Sequence, residues 1–449
     1  MSSKRESSRH DRKPGSSSEQ LGTEVLIAGA RIIDPSDGFD AEGYLGLRDG
    51  RIVWRSTEKP RDKYAETIEA QGHWLLPGLV DLSARLREPG ATQKGTIRSE
   101  TLAAAAGGIT TLCLPPDTKP IMDHPSVLDR VRGIVAANGS GVHVAVLGAL
   151  TQGLGGEAIA EMSALRDAGC VGVSPGAMPL GNLALMRRAL EYAHGLGLTV
   201  HVVPMDRDLG AGGCAHDGPV ATRLGLPPIP VAAEVAAIRS WISLVEDTGA
   251  RVHFGRLSSA RGVELIASAK QRRLPVTADV AIHQLLLSEH DLVGFNALCH
   301  VLPPLRATTD RDALRAAVRD GTIDAICTDH QPHEPDAKID PFPWTEPGIS
   351  GLDTLLPLAL ELVRELGLPP LALAQRLSRA PARILGAASC GLHPDDPADF
   401  ILVDPALNWQ ADRAQWRSAG RNSPFLNASL SGRCMASFVA GRRIFPAPN

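Results

Sequence analysis

No CxxC spacing occurs among the seven cysteines of this 449-residue chain (Cys113, Cys170, Cys214, Cys299, Cys327, Cys390, Cys434), and their odd, scattered placement argues against a zinc knuckle or a disulfide framework. No apolar run approaches the ~20 residues that span a bilayer. The N-terminus lacks the apolar stretch of a secretory signal. A net charge of −4 supplies no broad basic field for nucleic acid or a membrane surface. Neither GxGxxG after a strand nor GxSxG is present, and Gly210 to Gly213 suits a flexible loop better than a phosphate cradle. These absences leave a cytoplasmic protein of small-molecule type as the expectation.

What is present is ample core material, 43% hydrophobic residues, in three zones. Residues 1–23 are rich in Ser, Lys, Arg and Gly and cannot repay the entropy of ordering, so they read as a disordered tail. Short β runs follow at Val25 to Ile33 and Arg51 to Arg55, and others close the chain at Asp399 to Val403 and Cys434 to Val439. Residues 24–77 and 394–449 together are expected to form one small β-sandwich domain.

Between them, residues 78–393 alternate strands with helices. Apolar strand candidates fall at 79–85, 109–114, 142–148, 170–174, 198–203, 251–257, 275–280 and 323–328. Helical periodicity separates most of them: Asn182 to Gly195 sets Leu183, Met186, Leu190 and Ala193 on one face, and Ala232 to Glu246 repeats the spacing. Eight buried strands alternating with helices predict an α/β fold, a (β/α)8 TIM barrel with any active site at the strand C-terminal ends.

At the first of these strands, Pro77-Gly78-Leu79-Val80-Asp81-Leu82-Ser83-Ala84-Arg85-Leu86-Arg87-Glu88-Pro89-Gly90 resembles the PGxxDxHxHxREPG signature of dihydroorotases, members of the amidohydrolase superfamily. The resemblance runs on through Ala103 to Pro120, Arg187 to Glu191, Pro303-Pro304-Leu305-Arg306, Asp329-His330-Gln331-Pro332-His333, Gly348 to Thr354 and Arg421-Asn422-Ser423-Pro424-Phe425. It implies zinc held by an HxH pair, a bridging carboxylate, two further His and an Asp. Such an ion lowers the pKa of its bound water from about 15.7 to about 7, supplying hydroxide to attack the cyclic amide.

Aligned on that pattern, the HxH pair reads Ser83 and Arg85, the bridging position Pro175, and the two later His positions Val203 and Arg256. Only Asp329 remains of the catalytic metal set, and it is expected to be a vestige. No metal is therefore expected. Arg85 and Arg256 are expected to project into the vacated space and pair with Asp329, with solvated arginines at the barrel mouth as the alternative. Arg87, which the resemblance assigns to the substrate carboxylate, and His333 are present, while Asp117 replaces the Asn of the family's MPNT motif and would repel an anionic substrate; Leu302 likewise replaces an Asn. His201, on the same face as Val203, could with Asp329 and His330 form a weak new metal site; a packed core histidine is the competing reading for it and for His253, which should face the helices. His73, His143, His194 and His283 fall in no recognisable constellation.

The resemblance is closest to inactive dihydroorotase-like chains that assemble with aspartate transcarbamoylase. It implies a pseudoenzyme of pyrimidine biosynthesis in a hetero-oligomer or homodimer. The rivals are an active cyclic amidohydrolase with a rearranged metal site, and a sensor that binds a pyrimidine precursor through Arg87 and His333.

Overall fold

The computed structural model describes residues 25–61, 64–176, 181–387 and 390–446. The expected tail, 1–23, lies outside them. Eight parallel strands form one sheet in sequence order: Leu79–Asp81, Ile109–Leu114, His143–Ala149, Gly172–Ser174, Thr199–Val202, Val252–Phe254, Val276–Ala281 and Ala325–Cys327. The first and eighth meet through a bridge between Ala84 and His330, which curls the sheet into a nearly closed barrel. Strands covered on both faces carry apolar residues without alternation; Val252–Phe254 and Ala325–Cys327 are buried throughout.

Several strands stop short of the expected ranges. The first ends at Asp81, the sixth at Phe254 and the eighth at Cys327. The residues beyond them cannot all be extended, because Arg87, Arg256 and Asp329 have φ of 63°, 59° and 47°. Left-handed backbone at non-glycine residues costs energy and is held only where the surroundings enforce it.

The helices behind the strands follow the expected periodicity. Leu183–Gly195 starts on Asn182, whose side chain accepts from the Leu185 amide, and Val231–Thr248 packs against the next helix, Ala260–Gln271. Leu183 is exposed at the first position; Leu185 and Ala189 join Met186, Leu190 and Ala193 on the buried face. At the base of the barrel runs Pro370–Ala374, a π-helical turn Gln375–Arg379, and Ala380–Ile384. Pro381, lacking an N–H, cannot continue an α-helical ladder there.

Strands from both chain ends join in a second eight-stranded sheet. Its order is Arg442–Phe445, Ser429–Val439, Phe400–Gln410, Trp74–Pro77, Val25–Asp34, Phe39–Arg48, Arg51–Ser56, with Glu66–Glu69 also on Val25–Asp34. Its core packs Ile27, Ile32, Leu45, Leu75, Phe400 and Phe438, the two phenyl rings stacked at 4.5 Å. No helix among the described residues is long and apolar enough to cross a membrane.

Candidate functional site

The barrel mouth is framed by polar groups that fix the ends of the first and last strands. Asp81, fully buried, accepts from the backbone N–H and the hydroxyl of Thr328. Burial, opposed by those bonds, pushes its carboxyl up to about 7. Two residues after Thr328, His330 exchanges backbone bonds with Ser83 and Arg85, and its Nε2 lies 2.9 Å from Glu100 Oε2. Asn422 donates to the carbonyls of Gln331 and Gly348 and accepts from the His333 amide, tying the C-terminal segment to the mouth.

Inside this frame the structure gathers the positions singled out by sequence. Ser83, Arg85, Val203 and Arg256 line one cavity of about 40 Å³, with Ser174 and Gly176 on either side of Pro175. Pro175 is buried and offers no side-chain donor, and Val203 is half-buried. Arg256 Nη1 donates to Asp329 Oδ1 at 2.7 Å, and both groups are buried. Arg85 Nη1 stands 3.7 Å from the same oxygen, within ion-pair range but beyond a hydrogen bond. Ser83 Oγ and Gln331 Nε2 complete the surroundings of the Asp329 carboxylate at 3.3 and 3.2 Å.

Asp117 does not face the mouth as a bare anion. Nε and Nη2 of Arg85 both reach its Oδ2 at 2.8 Å. Burial works to raise the Asp117 carboxyl, but Arg85, with Arg256 and Arg87 behind it, outweighs burial and holds it below the ordinary carboxylate range. The expected repulsion of an anionic ligand is corrected: two exchanged residues, Arg85 and Asp117, neutralise each other.

Arg87 and His333 are adjacent and engaged with the protein. Arg87 Nε donates to the Pro332 carbonyl, and its Nη2 lies 3.1 Å from His333 Nε2. Lys94 Nζ is 3.1 Å from His333 Nδ1 and 2.5 Å from Glu346. Burial first, then the charges of Arg87, Lys94 and Lys338, push His333 down to about 3, so the imidazole is neutral at physiological pH. Burial and neighbouring Arg85 lower Arg87 to about 10. A precursor bound by these two residues would have to break the contacts they already make.

The histidines fall differently from their sequence placement. His253 points into the barrel, not toward the helices: Nε2 is 2.9 Å from Asp279 Oδ2 and Nδ1 2.9 Å from Thr277 Oγ1. Strand alternation was counted back from Arg256, but that residue lies past the strand end with positive φ, where the two-residue period no longer holds. His201 is interior and its ring lies 5.1 Å from that of His253, yet it joins no cluster with Asp329 and His330. Among the described residues, the one trio of closely spaced ligand-type atoms is Asp34, Asp37 and His393 beside the terminal sheet, where Arg55 already bonds both carboxylates.

His283 was missed. It is buried just past the seventh strand; burial pushes it down to about 4, with Asp329 opposing and Arg256 adding to the effect. Its place immediately after a barrel strand was the signal that could have found it.

A catalytic metal does not fit this donor set. At the positions that the resemblance assigns to the ligands stand serine, proline, valine and two guanidinium groups, and the one carboxylate is bonded to Arg256. Zinc needs three or four N, S or O donors, and here it would meet fixed positive charge.

Barrels of this form with a sheet of terminal strands define the amidohydrolase fold. The L-hydantoinase (dihydropyrimidinase) from Arthrobacter aurescens superimposes with a TM-score of 0.84 over 93% of this chain and 95% of that one, at 22% identity. A D-hydantoinase from Thermus sp. gives 0.80 at 18% identity, over 93% and 94%. At that identity the likeness concerns the fold alone. The Dihydro-orotase-like family model matches residues 72–261 and the Amidohydrolase family model residues 235–443. A dihydroorotase-like protein of Pseudomonas aeruginosa is 47% identical over 423 residues, covering 93% of this chain and 98% of that protein. A dihydroorotase of Anaeromyxobacter dehalogenans is 41% identical over 422 residues, covering 93% and 97%. The chain belongs to the dihydroorotase-like family of amidohydrolases.

Proposed function

We propose that this chain is a non-catalytic member of its family, acting in pyrimidine biosynthesis as a structural partner of aspartate transcarbamoylase. The observation that carries the first half is the Arg85–Asp329–Arg256 arrangement, which puts two protein cations around the one remaining ligand carboxylate. Without a metal the only nucleophile is water with a pKa of about 15.7, some eight or nine units above that of a metal-bound one. The cavity is also small: about 40 Å³, against the roughly 300 Å³ at which small-molecule sites begin.

The second half rests on the resemblance to inactive chains of this kind. The frame around the mouth supports it indirectly: Glu100–His330 and the Asn422 bonds are intact, and a chain with no remaining task would be expected to lose its fold-defining contacts along with its ligands.

Two measurements test the reading. Elemental analysis of protein purified without chelator should find no stoichiometric zinc, and hydrolysis of dihydroorotate should be undetectable; one tightly held metal per chain with activity would overturn the first half. Co-expression with aspartate transcarbamoylase should give co-elution on size exclusion and an assembled, active transcarbamoylase. If that enzyme assembles and works equally well alone, with no co-elution at micromolar concentration, the partnership is wrong.

A further inference from the structure

A hollow of about 470 Å³ lies at the base of the barrel, at the opposite end from the mouth. That volume is within the roughly 300–1,000 Å³ of small-molecule sites. Its apolar floor includes Val252 and Val276, from the sixth and seventh strands, and Ile384 of the closing helix. Arg251 and Arg383 stand in its wall. The one carboxylate among its described lining residues, Asp324, is paired with Lys270 Nζ at 2.6 Å. Arg251 donates one N–H to the Gly197 carbonyl, and Arg383 is exposed with no ion pair among the described residues.

We propose that this hollow binds an organic monoanion with an apolar body, a short-chain or aromatic carboxylate. The apolar part lies on Val252, Val276 and Ile384, and the carboxylate accepts from Arg251 and Arg383. Two guanidinium groups against one already neutralised aspartate select an anion over a cation. Charge-assisted bonds from a guanidinium suit the planar carboxylate, and the apolar lining, in which half-buried Val171 and Leu274 stand beside the valines and Ile384, gives an apolar body the area a bare inorganic anion cannot use. The hollow shares no lining residue with the cavity at the mouth.

The test is titration of the full chain with hexanoate and with benzoate, followed by calorimetry and by methyl NMR of Ile- and Val-labelled protein. Saturable binding is expected, with shifts centred on Val252, Val276 and Ile384. Hexanamide, which lacks the charge, should bind at least about tenfold more weakly, and Arg251→Gln and Arg383→Gln should each weaken hexanoate by about tenfold. Both arginines are exposed, and circular dichroism of the two variants should match the parent. Absence of saturation up to about 10 mM, shifts centred elsewhere, or equal binding of hexanamide would overturn the proposal.

Discussion

Two sets of residues meet at the barrel mouth, and they differ in what they hold. Of the positions that the family resemblance assigns to metal ligands, Ser83, Arg85, Val203 and Arg256 line a small cavity, and Ser83, Arg85 and Arg256 surround the Asp329 carboxylate. The frame behind them, made by Asp81 on Thr328, Glu100 on His330 and Asn422 on the 331–348 segment, ties strand ends and the C-terminal segment together. The inner set served chemistry in the family pattern, whereas the outer set closes the barrel. On the proposed reading the first set is exchanged while the second is kept, which would make the ligands of this barrel separable from its fold.

The sharpest break of that comparison is in the frame. Glu100 is fully buried and bonds His330, the Ser418 hydroxyl and the Ala419 amide. Glu100→Ala leaves all three without their acceptor, and breaking a buried pair from one side costs about 3–5 kcal/mol. Urea unfolding should show a loss of that size; a loss below about 1 kcal/mol would mean that the frame does not carry the mouth.

The inner set should respond less, because Asp329 has several neighbours. Arg256→Ala leaves Ser83, Gln331 and Arg85 near the carboxylate. We expect a destabilisation smaller than that of Glu100→Ala, which shrinks when Asp329→Asn is added, with a coupling of about 0.5–3 kcal/mol. Strict additivity in the double-mutant cycle would show that the two residues do not interact.

Much of this was legible in the sequence, for reasons that differ by element. All eight barrel strands were found because buried parallel strands are unbroken apolar runs. The strand Phe39–Arg48 was not, because FDAEGYLGLR mixes charge and glycine; Gly46 is needed there since a Cβ would stand 2.3 Å from the Trp54 indole nitrogen. That contact comes from pairing with the next strand, which local periodicity does not report. At the mouth, Arg256 beside Asp329 followed from the alignment on the family's ligand pattern together with charge complementarity. The orientation of His253 and the role of Arg85 toward Asp117 did not follow. The first depends on where a strand ends and backbone turns left-handed, the second on two loops meeting across 32 residues of sequence.

Titration separates the regions at a smaller scale. Asp81, raised to about 7, holds its proton in the folded chain between about pH 4 and that value, while the unfolded chain has released it. Its contribution to stability therefore falls as pH rises through that window. His333, lowered to about 3, behaves oppositely: below about 6.5 the unfolded chain takes up a proton that the folded one refuses, so stability is lost as pH falls toward 3. Asp81→Asn keeps an acceptor for the Thr328 amide and an N–H for its hydroxyl. This variant should gain on the parent by about 3 kcal/mol as pH rises from about 4 to about 7. Parallel pH profiles from urea midpoints would show that Asp81 does not titrate in this way.

The smallest expected effect is the most direct test of how far the inner set has moved from a metal site. Ser83→His with Arg85→His restores the first ligand pair at positions two apart beside the barrel-closing bridge. Two imidazoles and Asp329 would make three donors on paper. Yet Arg256 stays bonded to Asp329 at 2.7 Å, so an ion would have to displace a guanidinium and then sit beside it. Pro175 and Val203 supply no further donor, which leaves the ion under-coordinated. Replacing Arg85 also removes the two bonds that neutralise Asp117. That carboxylate could draw in a cation loosely, but it cannot supply the missing imidazole positions. Equilibrium dialysis against zinc should therefore find no stoichiometric binding to the double variant, and dihydroorotate hydrolysis should stay undetectable. Stoichiometric zinc in the variant, with hydrolysis restored, would show that the guanidinium of Arg256 yields to a metal and that the two sets are less separate than their geometry indicates.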